Sequence, residues 1–176
     1  MYYYKTMENN EFYLKQLTIE DSKDCYELLK HIGKSENDFT NPVSEMSFNE
    51  YKKWLKQQDE WSRGEGLPEG YVPQVCFWLM VDKTPVGFGK IRLGLTPRSR
   101  IEGGNIGYAI DSRFRGKGYG TKLLELLIAK AKELSLQEVL LTVKLDNYAS
   151  CKVAERNGGV ILQETDSWRY YTIKGN

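Results

Sequence analysis

Between Asn105 and Thr121 the chain reads Asn-Ile-Gly-Tyr-Ala-Ile-Asp-Ser-Arg-Phe-Arg-Gly-Lys-Gly-Tyr-Gly-Thr, an apolar run that opens into a basic, glycine-rich turn. Gly116, Gly118 and Gly120 allow backbone N–H groups to crowd toward an anion, and Arg115 and Lys117 add full charges. A helix starting here points its positive end at the same place. The chemistry suited to such a turn is the binding of a diphosphate. The same residues also suit a loop whose glycines merely turn the chain and whose basic side chains are solvated, and this segment alone leaves both readings open. Two better-defined phosphate motifs do not fit. The P-loop needs G-x-x-x-x-G-K-[ST], a frame that occurs nowhere in the chain. The dinucleotide fingerprint needs G-x-G-x-x-G early in a βαβ unit, whereas these glycines alternate and lie past mid-chain.

Other reactive residue types are sparse. The three cysteines, Cys25, Cys76 and Cys151, form no C-x-x-C pair and have only His31 to assist them, so neither a zinc site nor a disulfide framework is expected. A reducing cytoplasm suits that usage. With 25 Lys+Arg against 24 Asp+Glu, the chain has no global field to draw it to nucleic acid or an anionic membrane, so an anion site must be local. The apolar stretch from Leu123 to Ala131 is interrupted by Glu125 and is far shorter than the roughly 20 residues a membrane span needs. No secretory signal is expected at the N-terminus. A length of 176 residues suits one domain, 1–176, with residues 1–10, including Tyr2, Tyr3 and Tyr4, as a flexible extension.

The glycine-rich turn must be held by elements legible from periodicity. Alternation predicts a strand over Phe12–Leu17; Thr18 and Asp21 then cap a helix in which Cys25, Leu28, Leu29 and Ile32 share a face up to Gly33. Ser47 and Glu50 form a capping box for a second helix, with Tyr51, Trp54, Leu55 and Gln58 on one face and an end near Gly64. The segment 63–73 reads as an ordered loop. Val75–Val81 and Val86–Arg92 make a hairpin turning at Asp82–Pro85, Leu93–Gly104 is a polar loop, and Asn105–Ile110 is a strand. A helix from Gly118 to Leu134, a buried strand Glu138–Val143 and a helix Tyr148–Arg156 capped by Asn147 follow. Val160–Leu162 and Trp168–Ile173 close the chain as a hairpin. The expected class is α/β with mixed order: a mostly antiparallel sheet of about seven strands flanked by about four helices.

Arg115-Gly-Lys-Gly-Tyr-Gly120 meets the pattern [RQ]-x-x-G-x-[GA], and the chain resembles the GNAT acyltransferase superfamily that carries it. The likeness extends over roughly Val75 to Ile173, through Gly107-Tyr-Ala-Ile-Asp111, the following helix, and Asn147-Tyr-Ala-Ser150 to Glu155-Arg-Asn-Gly-Gly159. It looks most like a bacterial group of acetyltransferases without a settled substrate. The resemblance implies a single-domain GNAT-like fold and acetyl-coenzyme A as co-substrate, without a metal. It places the pyrophosphate on the backbone of Arg115, Gly116, Lys117, Gly118, Tyr119, Gly120 and Thr121. It lays the pantetheine arm along Ala109, Ile110 and Asp111, in a gap where the strands carrying Ile110 and Val143 splay apart. Asn147 would reach the arm from the other side, a role compatible with capping its helix.

The catalytic pair is where this sequence departs from the family. The Glu found in many members six residues before Ile110 is Gly104 here, which leaves Glu102 as the nearest acid. The Tyr found seven residues after the Asn is Ala154; Ser150 and Cys151 lie one turn earlier on the same helix and are the candidates to supply the proton, although Cys151 equally suits a small buried hydrophobe. For the acceptor, the resemblance points to Glu36, Asp38, Glu45, Trp61, Glu65, Glu69, Tyr71, Trp168 and Tyr170, acids and aromatics that would suit a cationic amine. The leading expectation is a cytoplasmic N-acetyltransferase acting by direct attack on a small-molecule or peptide amine, with no nucleic-acid or membrane partner and a homodimer as an option. A non-catalytic acyl-coenzyme A module and a phosphate-binding interaction domain remain as alternatives.

Overall fold

The computed structural model describes residues 10–36 and 39–174, with the backbone alone for Glu36; the proposed N-terminal extension through residue 9, including Tyr2 to Tyr4, lies outside the described residues. In chain order the elements are β1 (Phe12–Gln16), α1 (Lys23–Ile32), β2 (Ser35–Glu36), β3 (Phe39–Thr40), α2 (Phe48–Ser62), β4 (Gln74–Val81), β5 (Thr84–Arg92), α3 (Pro97–Ile101), β6 (Ile106–Ile110), α4 (Tyr119–Glu133), β7 (Glu138–Lys144), α5 (Tyr148–Arg156), β8 (Val160–Glu164) and β9 (Trp168–Lys174). The mixed α/β class and the seven principal strands are as expected. They divide into two antiparallel sheets, of order β1-β4-β5-β6 and β7-β9-β8, with β2 and β3 forming a separate two-residue pair.

The run Val75–Val81 is continuously apolar because β4 is buried on both faces. Val75, Phe77, Leu79 and Val81 join Leu123, Leu124 and Leu127 of α4 in one core, while Cys76, Trp78 and Met80 join Leu28 and Leu29 of α1 and Tyr51 and Leu55 of α2 in a second. Close packing of α4 is the reason for Gly89: a Cβ there would lie 2.5 Å from Leu127 Cδ1.

Several local expectations need correction. Thr18 does not cap α1, which begins at Ser22 without a side-chain cap bond. Asp21 instead turns inward and accepts hydrogen bonds from Thr18 N–H at 3.0 Å, Lys15 Nζ at 2.6 Å and Trp78 Nε1 at 2.5 Å. The β4–β5 turn is shorter than expected, with Asp82 at φ 56° and Thr84 and Pro85 already paired to Val81 and Met80. Within the expected loop Leu93–Gly104 sits α3, fixed by a reciprocal Thr96–Ser99 cap with Pro97 in its first turn. Five residues are too few to show a helical period, which is why α3 escapes periodicity. The Ser47–Glu50 capping box of α2 and the Asn147 cap of α5 are present as expected.

Candidate active site

The site begins where the two sheets fail to join. β6 and β7 are edge strands of different sheets, and they are stapled at one end around the buried Asn105. Asn105 N–H donates to Leu140 O at 2.7 Å, Asn105 Oδ1 accepts from Leu140 N–H at 2.8 Å, and Asn105 Nδ2 donates to Arg92 O at 3.3 Å. Thr142 Oγ1 accepts from Gly103 N–H at 2.6 Å beside it. From Ile106 to Ile110 the edge of β6 that faces β7 has no ladder, so apart from Ile110 O its polar groups are open to a ligand. Gly104 makes the staple possible: it has φ +56°, and a Cβ there would stand 2.2 Å from Leu140 O. The same contact explains why no carboxylate occupies position 104, since any side chain would collide with the β7 backbone.

Beyond the open edge lies the glycine-rich turn. Gly116 and Gly118 have φ +76° and +80°, and Gly118 is the left-handed N-cap of α4 with no side-chain cap bond. Among the described residues the N–H groups of Gly116, Lys117 and Gly118 make no backbone bond, and those of Tyr119, Gly120 and Thr121 belong to the uncapped first turn of α4. This row of free donors, backed by the helix dipole, has the geometry that suits an anion. Arg115 Nε donates to Ile110 O at 2.9 Å and ties the turn to the end of β6. The Tyr119 ring packs edge-on against Phe12 at 5.4 Å, so only its backbone joins this row of donors. Asp111 shapes the turn: its carboxylate is buried and accepts from Arg113 N–H at 2.9 Å and Nη2 at 2.5 Å. Burial pushes this carboxyl up, but the Arg113 hydrogen bonds outweigh it and hold the group below its ordinary value.

A cavity of about 500 Å³ lies next to the gap. Asn147 and Ser150 of α5 line it, Asn147 Oδ1 also accepting from Ser150 N–H at 3.2 Å as the helix cap. Glu102, exposed at the end of α3, lines it too. Cys151 does not: it is buried, its Sγ 3.9 Å from Lys144 O, as a small hydrophobe would be. Ala154 is fully buried. Of the expected acceptor residues Trp61, Tyr71 and Trp168 line the cavity. Glu45 is paired to Lys34 at 2.9 Å and Glu65 to Arg63 at 3.0 Å, both on the surface; Glu69 is exposed, and Tyr170 bonds Ile101 O at 3.1 Å. Asp38 and the side chain of Glu36 lie outside the described residues. None of the expected acids that can be placed faces the cavity: among the described residues its charged lining is Lys90, Arg92, Arg98 and Lys144 with Glu102 as the one carboxylate.

Two residues of the cavity were not singled out from the sequence. Tyr108 shares the β6 face of Ile106 and Ile110, an apolar pattern that reads as core. Its hydroxyl is buried in the cavity wall without a completed hydrogen bond; burial pushes the phenol up to about 12, opposed by the neighbouring Ser150 hydroxyl. Lys90 did leave a signal, a lone cation in the run Val86-Gly-Phe-Gly-Lys-Ile91. Burial, with Arg92 adding to it, brings its ammonium down to about 8.

The sequence profile of the acetyltransferase (GNAT) family matches residues 32–159. N-alpha-acetyltransferase 30 of Xenopus laevis is 32% identical over 99 residues, 56% of this chain and 36% of the frog protein; that of Homo sapiens is 31% identical over 99 residues, 27% of its length. The match thus spans about a third of these relatives. Among solved structures, Campylobacter jejuni N-acetyltransferase PseH in complex with acetyl coenzyme A superposes with TM-score 0.62 at 16% identity, covering 94% of this chain and 100% of that one. RimL, a ribosomal L7/L12 alpha-N-protein acetyltransferase in complex with coenzyme A, superposes with TM-score 0.67 at 17% identity, covering 93% of each chain. With a splayed sheet, a row of free N–H donors at a helix N-terminus and a family profile over most of its length, the chain belongs to the GNAT acetyltransferase family.

Proposed function

We propose that the protein transfers the acetyl group of acetyl-coenzyme A to a primary amine of a small molecule or peptide, in a ternary complex, as one domain working in the cytoplasm. The observation that carries this reading is the row of free N–H groups at residues 116–121, placed directly beyond the open edge of β6. The cradle takes the diphosphate of the co-substrate, with Arg115 and Lys117 neutralising charge at its mouth. The outward-facing backbone groups of β6, at Tyr108 and the N–H of Ile110, pair with the pantetheine amides beside Ala109, and Asn147 approaches from α5. Asp111 acts one step back, through Arg113 and the turn.

The amine nitrogen bonds to the thioester carbonyl carbon, the carbon–sulfur bond breaks, and the departing thiolate needs a proton or a strong donor. Tyr108 supplies that donor with Ser150 beside it. A phenol raised to about 12 stays protonated at neutral pH and is ready to donate. This assignment moves the role from Ser150 and Cys151 to a Tyr108–Ser150 pair, since Cys151 has no face on the cavity. Glu102, at the cavity rim, is the carboxylate placed to take the ammonium proton, directly or through water.

Titration calorimetry with coenzyme A tests the first half of this reading. Gly118→Asp puts a carboxylate into the cradle and should abolish binding with the fold intact; undiminished affinity refutes the cradle. Release of free thiol with a panel of amines tests the second half. Intact coenzyme binding without turnover on any amine would make the protein an acyl-coenzyme A binding module, the reading to which Ala154 at the usual hydroxyl position lends support.

A further inference from the structure

We propose that the acceptor is an amine that also carries an anionic oxy group, a carboxylate or a phosphate, which seats against Lys90 and Arg92 of β5. The inference rests on the acetyltransferase reading and names the substrate class of that site. Lys90 and Arg92 are two apart on β5 and so share the face turned to the cavity. The residues that would hold the diphosphate, 115–121, are absent from the cavity wall, so these cations are not consumed by the donor's phosphates.

Nothing in the described chain neutralises them. Arg92 Nη1 donates to Gly103 O and Gly104 O, each at 3.0 Å, and those carbonyls orient the guanidinium without cancelling its charge. Lys90 donates no hydrogen bond; its Nζ lies 5.4 Å from the centre of the Phe39 ring. The groups acting on the pair are the Cys76 thiol from β4, pushed up to about 12 by burial and hence neutral, and the hydroxyl of Tyr71. Arg98 and Lys144 add positive charge to the same cavity, and among the described residues Glu102, at the end of α3, is the one carboxylate lining it. A half-buried ammonium without a counter-ion is costly, and an anion entering the cavity would remove that cost. Trp54, Phe88 and Phe39 supply apolar wall for the remainder of the acceptor. A polyamine would meet repulsion here.

The test is thiol release with matched amines: γ-aminobutyrate against its amide for the carboxylate, phosphoethanolamine against ethanolamine for the phosphate, and spermidine as the cationic control. Comparing the anionic-to-neutral ratio of kcat/KM between wild type and variant cancels the intrinsic reactivity of each amine. Lys90→Met should lower that ratio about ten- to a hundredfold, the loss expected for one charge-assisted contact, and Lys90→Arg should retain it. The pair that responds more strongly identifies the anion. Coenzyme A affinity measured on each variant reports that the fold is intact.

A ratio unaltered by Lys90→Met, or a wild type that prefers spermidine, overturns the proposal. So does an equal loss for both members of a pair, which would make Lys90 a proton acceptor instead. If no amine is turned over, the acetyltransferase reading fails separately, and calorimetry of the two anionic amines on the coenzyme-saturated protein decides this one. Binding weakened by Lys90→Met supports it, and absence of binding to wild type refutes it.

Discussion

Replacing Lys90 by Met removes a charge that the fold buries without a counter-ion, and the variant should be more stable than the wild type at neutral pH. Burial brings Lys90 from the ordinary lysine value of 10.5 down to about 8. Between those two values the unfolded chain holds a proton that the native protein has released, so native stability rises with pH across that window. Below about 8 both states are protonated and the full penalty of the buried ammonium applies. At ~1.4 kcal/mol per pH unit the penalty is roughly 3 kcal/mol, an upper bound because the lysine stem also packs and part of the side chain meets solvent. Urea unfolding of both proteins at pH 7 and near pH 10.5 measures it. The advantage of Lys90→Met should be largest at pH 7 and shrink at the higher pH. Cysteines and tyrosines titrate in both proteins, so the difference isolates position 90. A difference that is constant with pH would refute the claim that Lys90 is a buried, uncompensated cation. With the acceptor proposal, the prediction gives Lys90 a signature: a residue retained for binding at the expense of stability.

Two further perturbations separate the site from its scaffold. Tyr108→Phe should lower kcat about a hundredfold under saturating co-substrate, the range of a lost general acid, while leaving urea stability unchanged or about 1 kcal/mol higher, because an unpaired buried hydroxyl is removed; a variant with full kcat places the proton donor elsewhere. Gly104→Ala should cost about 2–4 kcal/mol in urea unfolding, combining positive φ with the collision against Leu140 O, and should weaken coenzyme A binding by disturbing the junction of β6 and β7; a neutral result would mean that the two strands part without effort.

Much of the framework was legible because its signals are local. The capping box at Ser47, the Asn147 cap, the apolar face of α4 and the alternation of glycines in 116–120 are each set within a few residues, and local sterics turn them into helix starts and a turn of free N–H groups. The apolar run of β4 announced a strand; that both its faces are buried came from the two cores. Asp21 shows the limit: beside Thr18 it reads as part of a cap, but its oxygens satisfy Trp78 Nε1, a partner 57 residues away.

What the sequence by itself determined about this protein is the order of its principal strands and long helices, the glycine-rich turn that starts α4, and the presence of Gly104 and Ala154 where the family pattern has Glu and Tyr. The tertiary structure decided the rest, because it depends on groups brought together from distant segments. Only the approach of Gly104 to Leu140 explains the absent carboxylate. Only the tertiary fold sets Tyr108 of β6 beside Ser150 of α5, where an apolar-looking strand residue becomes a buried hydroxyl. Of the expected acids before residue 70, Glu45 and Glu65 pair with neighbours on the surface, while β5 and α3 bring Lys90, Arg92 and Arg98 to one cavity. A near-zero net charge carries no information about which sign faces inward; chain topology does, by choosing which side chains share a low-dielectric space.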